Sequence, residues 1–158
     1  MSTKSTPPRL HGAHHLGLSV RDLERSIAFY CDVLGAVLAR SPYEGESPAF
    51  SGRMAIVALG STGLDLFEHA ANGDEPFDPV RTGLDHLGFA ADSAEELQAW
   101  ADWLESCKVA HSGVRDIIVG GTESVGAMLD FRDPDGIQLE FLFRDTAKIQ
   151  RLRAYTPS

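Results

Sequence analysis

A short segment of this sequence occurs twice. The residues His15-Leu16-Gly17-Leu18 are matched by His86-Leu87-Gly88-Phe89, which begin 71 residues later. Each copy is followed by a helix pattern and then by three strand patterns. Repeated units of this kind do not bury their apolar faces alone and pack together instead. The repeat therefore predicts an α+β fold built from two βαβββ modules.

The first module begins with an alternation of period two. Leu16, Leu18 and Val20 are apolar and are separated by polar or small residues, which is the pattern of a half-buried strand. Asp22 is suited to cap a helix that ends at Gly35. Three strands are predicted near residues 36–43, 53–59 and 63–69, and the segment between the first two is predicted as a mobile flap because it contains Gly45, Pro48 and Gly52.

The second module has the same order of elements. Asp85–Ala90 predicts a strand, and Ser93 with Glu96 forms a capping box at the start of a helix. Three further strands are predicted near residues 109–118, 125–131 and 137–143, with a turn over Asp133-Pro134-Asp135-Gly136 and a short C-terminal helix.

The length of the chain fits one ordinary domain that contains both modules. The predicted boundaries are a disordered tail over residues 1–10, the first module over 11–69, a linker over 70–82, the second module over 83–144, and a C-terminal helix and tail over 145–158.

Composition excludes several partners. The formal net charge of −9, without a basic cluster to offset it, argues against nucleic acid and anionic membranes. No apolar run has the roughly 20 residues of a membrane helix. Cys31 and Cys107 are too few for a disulfide framework and lie outside any metal-binding spacing, so we expect free thiols and a cytoplasmic location.

The strand alternation places three residues with metal-ligating side chains away from the apolar faces. His15 is opposite in parity to Leu16, and His86 is opposite to Leu87. In the last strand Glu140 lies between apolar neighbours that face the other way. Two imidazoles and one carboxylate suit a divalent first-row ion and leave coordination positions open, as in a catalytic site.

Asp65 has a related position in the first module. It shares a strand face with Phe67 and His69, and it precedes Glu140 by 75 residues, close to the spacing of the two histidines. Asp65 is therefore predicted to be the counterpart of Glu140, either as a further metal ligand or as an acid that lines the same cavity.

Longer segments around these residues carry a resemblance to a known family. They are His15-Leu16-Gly17-Leu18-Ser19-Val20, Asp22-Leu23-Glu24-Arg25-Ser26-Ile27-Ala28-Phe29-Tyr30, Val33-Leu34-Gly35, Asp85-His86-Leu87-Gly88-Phe89 and Phe131-Arg132-Asp133-Pro134-Asp135-Gly136-Ile137-Gln138-Leu139-Glu140. With them the chain resembles the vicinal oxygen chelate superfamily over about residues 12–144. This superfamily includes glyoxalase I, methylmalonyl-CoA epimerase, extradiol dioxygenases, and fosfomycin and bleomycin resistance proteins.

The resemblance implies a glyoxalase-like fold, in which the two modules form a curved mixed sheet that encloses a cavity. It implies one divalent ion (Zn, Ni, Co, Mn or Fe(II)) held by His15, His86 and Glu140. Glyoxalase-like members place a Glu at the position of Asp65, so the shorter side chain is a departure from their pattern. The resemblance also implies a small-molecule substrate and a homodimer.

The function implied is that of a glyoxalase I- or epimerase-like lyase or isomerase. Such an enzyme acts on adjacent substrate oxygens through a metal-stabilised enolate, and here Glu140 or Asp65 would move the proton. The alternatives are a non-haem Fe(II) extradiol-type dioxygenase and a non-catalytic drug-binding or resistance protein. Five residues are predicted substrate contacts: Phe67, His69, Tyr43, Arg53 and Arg115.

Overall fold

The computed structural model describes residues 7–48, 50–119 and 123–154. The chain divides into two compact units, Met1–Ala71 and Asn72–Ser158, and each contains one four-stranded sheet. Each unit has the order strand, helix and three strands, which confirms the predicted α+β class with two βαβββ modules. Of the predicted N-terminal tail, residues 1–6 lie outside the described residues and residues 7–10 form no helix or strand; residues 155–158 at the other end also lie outside.

The first unit is a mixed sheet with one helix packed on one face. Its strand order is β1-β4-β3-β2, with β1 parallel to β4 and the other pairs antiparallel. The helix contacts β3 and β4, where alternate residues such as Val57 and Leu66 are fully buried. The elements are β1 (His15–Ser19), α1 (Leu23–Ala28), which continues as a π-helical segment (Phe29–Val33), β2 (Val37–Ser47), β3 (Phe50–Leu59) and β4 (Thr62–His69).

Local signals set the ends of this helix as the sequence predicts. The Asp22 carboxylate accepts a hydrogen bond of 2.9 Å from the backbone N–H of Arg25, one of the N–H groups that a helix start leaves without a partner. After the π-helical segment the backbone turns at Gly35, whose φ of +71° is in the left-handed region that favours glycine. The Ala36 N–H then donates to the Tyr30 carbonyl at 2.9 Å.

The segment predicted as a linker between these strands is paired strand instead, because β2 extends to Ser47 and β3 begins at Phe50; its mobility stays a prediction. Gly45 pairs with Gly52, and Ser47 pairs with Phe50. The glycines suggested a loop, but they make room for a ring. A Cβ atom at position 45 would lie 2.7 Å from Cε1 of Phe50, so the absence of a side chain there lets the ring lie over the strand.

The second unit repeats the arrangement with the order β5-β8-β7-β6, and β5 is parallel to β8. Helix α2 buries Leu97, Ala101 and Leu104 and contacts β7 and β8, where Leu129 and Leu139 are fully buried. The elements are β5 (Leu87–Ala90), α2 (Ala94–Ser106), β6 (Arg115–Val119), β7 (Glu123–Arg132), β8 (Gln138–Arg144) and α3 (Thr146–Ala154). Within the described residues, none of the helices has the length and apolar character that crossing a bilayer requires.

Two boundaries in this unit differ from the sequence prediction. Strand β6 begins at Arg115 rather than near 109, because Lys108 and Gly113 have φ angles of +60° and +72° and interrupt an extended backbone. Strand β5 begins at Leu87, so His86 lies immediately before it. The capping box is confirmed in a modified form: Ser93 Oγ accepts from the Glu96 N–H at 3.1 Å, while the Glu96 carboxylate accepts from the N–H of Asp92 at 2.7 Å.

The predicted turn before β8 is confirmed and depends on a buried carboxylate. Asp133 is buried, and its Oδ1 accepts hydrogen bonds from the N–H groups of Asp135 at 2.9 Å and Ile137 at 2.8 Å. Gly136 provides the left-handed residue with a φ of +87°. This turn sets where β8 begins and therefore where Glu140 lies.

Asp133→Ala is expected to lower the free energy of unfolding by about 2–4 kcal/mol, because two buried N–H groups lose their acceptor. Asp133→Asn retains a carbonyl oxygen at the same position, so its loss is expected to be less than half as large. Urea unfolding of the three proteins measures both values. Equal stability of the alanine and asparagine variants would show that the two hydrogen bonds do not hold the turn.

Candidate metal centre

In the first unit the strand register brings one imidazole and one carboxylate together. Gly17 of β1 is opposite Asp65 of β4, and His15, two residues earlier, has the same parity as Gly17. His15 Nε2 lies 3.8 Å from Oδ2 of Asp65. The Asp65 side chain is only 17% exposed, so its charge is partly shielded from water.

The second unit contains the same pair at the same register. Gly88 of β5 is opposite Glu140 of β8, and His86 again precedes the glycine by two residues. His86 Nε2 lies 3.5 Å from Oε1 of Glu140, whose side chain is 12% exposed. The structure therefore confirms that Asp65 and Glu140 are counterparts in their own modules.

In the second unit, the residue opposite the carboxylate is glycine because a side chain there would collide with Glu140. A Cβ atom at position 88 would lie 2.9 Å from Oε1 and 3.3 Å from Cγ of Glu140. The missing side chain leaves the space that the carboxylate occupies. In the first unit the space above Gly17 is taken by the ring of Phe67, whose Cε2 would be 3.1 Å from a Cβ.

Each histidine is oriented through its other nitrogen. His86 Nδ1 is 2.6 Å from Oδ1 of Asp85, and His15 Nδ1 is 2.9 Å from Nδ1 of His14. Both arrangements leave Nε2 directed at the carboxylate of the same unit. Metal-ligating histidines commonly donate a hydrogen bond to a carboxylate from the ring nitrogen that does not bind the metal. The hydrogen bond to Asp85 is also the main cause that raises the pKa of His86; the Glu140 charge adds to it and desolvation opposes it.

The donor types fit a divalent metal ion, but neither unit holds a complete ligand set. Neutral imidazole and carboxylate are ligands of Zn and of other first-row ions. In neither unit do the described residues gather three or more His, Cys, Asp or Glu side chains into a group that could hold an ion. Each unit thus holds one His–carboxylate pair.

Asp130 is a residue of this face that the sequence prediction missed. It lies in β7 directly opposite Glu140 and forms an ion pair with Arg115 of β6. Arg115 is opposite Met128, so it shares the face of Glu140, where it was predicted to contact substrate. The sequence could have indicated Asp130, because it lies between the buried residues Leu129 and Phe131. A residue at that position in a strand points to the face opposite the helix, where Glu140 also lies.

The other predicted contacts divide between the two faces of the first sheet. Phe67 and His69 follow Asp65 at intervals of two in β4 and share its face. Tyr43 joins them from β2, because it is opposite Met54, which is in turn opposite Phe67; the Tyr43 hydroxyl lies 2.8 Å from Met54 Sδ.

Arg53 lies on the other side. Its parity in β3 is that of the buried residues Ala55 and Val57, which face the helix. Its guanidinium pairs with Glu24 of α1 and, at 3.2 Å, with Glu68 of β4. Arg53 therefore does not share the face of Asp65, and we leave it out of the proposed site.

A comparison with protein families matches residues 12–141 to the model of the Glyoxalase/Bleomycin resistance protein/Dioxygenase superfamily. The chain belongs to this superfamily. It is 31% identical to protein YaeR of Escherichia coli (strain K12) over 83% of this chain and 95% of that protein. It is 30% identical to a lactoylglutathione lyase of Salmonella typhimurium over 81% of this chain and 89% of that enzyme.

The fold is also that of solved superfamily members. The structure of a glyoxylase/bleomycin resistance protein/dioxygenase domain from Frankia sp. EAN1pec superposes with a TM-score of 0.74 at 30% identity, and the match covers 86% of this chain and 93% of that chain. The predicted glyoxalase-like fold is confirmed by this similarity and by the two mixed sheets.

In the metal-free protein, His86 is expected to titrate above the 6.5 of an ordinary histidine, because the Asp85 carboxylate stabilises the imidazolium. Asp85→Asn removes that charge and is expected to lower the His86 pKa. Two-dimensional NMR of the imidazole nitrogens as a function of pH measures the shift, with Asp92→Asn as a control for an exposed acid in the same unit. An unchanged His86 pKa in the Asp85 variant would contradict the assigned hydrogen bond.

Proposed function

We propose that one divalent ion binds a His–carboxylate pair from each module, His15 with Asp65 and His86 with Glu140. The observation that carries this proposal is that both pairs occur at the same strand register, in a glycine–carboxylate frame that the fold repeats. Two imidazoles and two carboxylates form a ligand set that Zn, Ni, Co, Mn or Fe(II) accepts. When the ion is six-coordinate, such a set leaves two positions open for substrate oxygens.

We further propose a glyoxalase I- or epimerase-like lyase or isomerase reaction on a small substrate with two adjacent oxygens. When bound, the ion supplies a Lewis acid for those oxygens. Asp65 or Glu140 removes a proton from the carbon beside the substrate carbonyl and returns it to a neighbouring atom. Both carboxylates are largely shielded from water, and an imidazole Nε2 lies beside each of them, at 3.8 Å from Asp65 and 3.5 Å from Glu140.

Three observations favour this reaction over the alternatives. Asp65 lies beside His15 Nε2, which supports a four-residue set rather than the two-histidine, one-carboxylate set of Fe(II) dioxygenases. The similarity to a lactoylglutathione lyase extends over most of both chains. The donor pairs in both modules also weigh against a drug-binding protein without catalysis, which has no need of them.

The proposal includes a cytoplasmic homodimer. Cys31 and Cys107 are both free thiols, which is typical of a reducing compartment. A small-molecule substrate agrees with the activity that the name of the lyase relative describes.

Metal binding is tested with His15→Ala and His86→Ala. Each removes one imidazole from the proposed set, so each is expected to lower Zn²⁺ affinity by about tenfold or more. Elemental analysis after dialysis and titration against a competing chelator measure content and affinity. His11→Ala is the matched control, because His11 lies outside every strand and helix. Wild-type metal content in both site variants would refute the proposed site.

The reaction is tested with the hemithioacetal of methylglyoxal and a thiol, in the presence of Ni(II), Co(II) or Zn(II). The wild-type protein is expected to isomerise it, and Glu140→Gln is expected to reduce kcat by about 10²–10⁴-fold, because the amide neither binds the metal as a carboxylate does nor accepts a proton. Oxygen uptake with catechols under Fe(II), without isomerisation, would instead support the dioxygenase alternative. Stoichiometric drug binding without any turnover would support the resistance-protein alternative.

A further inference from the structure

We propose that Phe50, Phe67 and His69 form an aryl subsite, which binds an uncharged aromatic substituent of the substrate beside its two metal-binding oxygens. This inference rests on the proposed function, since it places the substituent next to Asp65. It goes further by naming the substrate class: small compounds with adjacent oxygens attached to an aromatic ring.

The three rings form one half-buried cluster on the face of Asp65. Phe67 and His69 are nearly parallel, with an interplanar angle of 27° and centroids 6.0 Å apart. Phe50 meets both edge-on, at 5.0 Å from Phe67 and 5.1 Å from His69. Flat, partly exposed ring faces with a perpendicular ring at their side suit a planar guest, because aromatic groups prefer offset-stacked and edge-to-face contacts.

The register links this cluster directly to the proposed ligands. Phe67 is the next residue on the Asp65 face of β4, and His69 is the one after it. The Phe67 ring lies over Gly17, the residue opposite Asp65. A substituent on the carbon beside the chelating oxygens would therefore meet Phe67 first and the other two rings beyond it.

Three charged side chains of these strands lie on the opposite face, whereas Arg40 of β2 lies on the ring face, with its guanidinium 3.7 Å from the centroid of the Tyr43 ring. Arg53 and Glu68 are opposite each other in β3 and β4 and form an ion pair there. Glu44 is opposite Arg53 from β2 and has the same parity. Beside the rings, Asp65 precedes Phe67 on the same face of β4, and its negative charge disfavours an anionic substituent there.

Space is available at the far end of the cluster. Phe50 and His69 line a shallow pocket of about 460 Å³, together with Ser47, Pro48 and Ser51 of the hairpin and small residues that follow β4. This volume accommodates a substituted ring. The pocket belongs wholly to the first unit.

Mandelate and lactate test the subsite, because both carry the same 2-hydroxycarboxylate and differ by a phenyl against a methyl group. Their dissociation constants are measured on the Mn(II)-loaded protein by water-proton relaxation, which changes when a chelator displaces bound water. Mandelate is expected to bind at least about tenfold more tightly than lactate, which corresponds to about 1.4 kcal/mol. In Phe67→Leu and Phe50→Leu the preference is expected to fall below about threefold, while lactate binding stays unchanged.

The leucine substitution keeps an apolar side chain, and Leu142 stands at the equivalent place two residues after Glu140. Leu142→Met is therefore the matched control and is expected to keep the wild-type preference. Equal binding of the two acids by the wild-type protein, or an unchanged preference in both ring variants, would overturn the subsite and leave the metal proposal intact.

If neither acid alters the relaxation, the metal proposal has failed, and the subsite is decided separately on the metal-free protein. Benzyl alcohol is added while the aromatic ¹H–¹³C signals are recorded. Shifts confined to Phe50, Phe67 and His69, and absent in Phe67→Leu, would support the aryl subsite. No shift of these signals would overturn it.

Discussion

The arrangement of the candidate site depends on one feature of strand pairing, a glycine opposite a carboxylate in a parallel pair of strands. Gly17 with Asp65 and Gly88 with Glu140 occupy this position in the two sheets. Parallel pairing fixes which residues are neighbours, and the two-residue period then places the histidine before each glycine on the same face. A shift of the register by one residue would move every one of these side chains to the helix-packed face.

The glycine–carboxylate pair has different neighbouring residues in the two modules. In the first, Ile56 is opposite Asp65, and the neighbouring face consists of Met54, Phe67 and further rings. In the second, Asp130 is opposite Glu140 and holds Arg115 in an ion pair. The face around Asp65 in the first unit is thus largely aromatic, and the face around Glu140 in the second unit carries an ion pair.

The strand faces and helix starts could be predicted from the sequence, because the alternation of apolar and polar residues shows which side chains of a strand share a face. The parity of His15, Asp65 and Glu140 follows from the apolar residues beside them, and capping residues mark the starts of α1 and α2. The β2–β3 hairpin could not be predicted, because its glycines suggested a loop, whereas they accommodate the Phe50 ring. The ion pairs of Arg53 and of Asp130 depend on which strands are neighbours, and a single strand pattern does not contain that information. The support of His86 by Asp85 depends on a side-chain rotamer and was missed for a similar reason.

The central claim is that imidazoles from both modules bind the same ion. X-ray absorption spectroscopy of the Zn-loaded protein tests it directly, because the outer-shell scattering of imidazole rings counts the histidine ligands per zinc. Two imidazoles per zinc are expected in the wild-type protein and one in each of the His15→Ala and His86→Ala variants. A single imidazole per zinc in the wild-type protein, or an unchanged count in either variant, would contradict it.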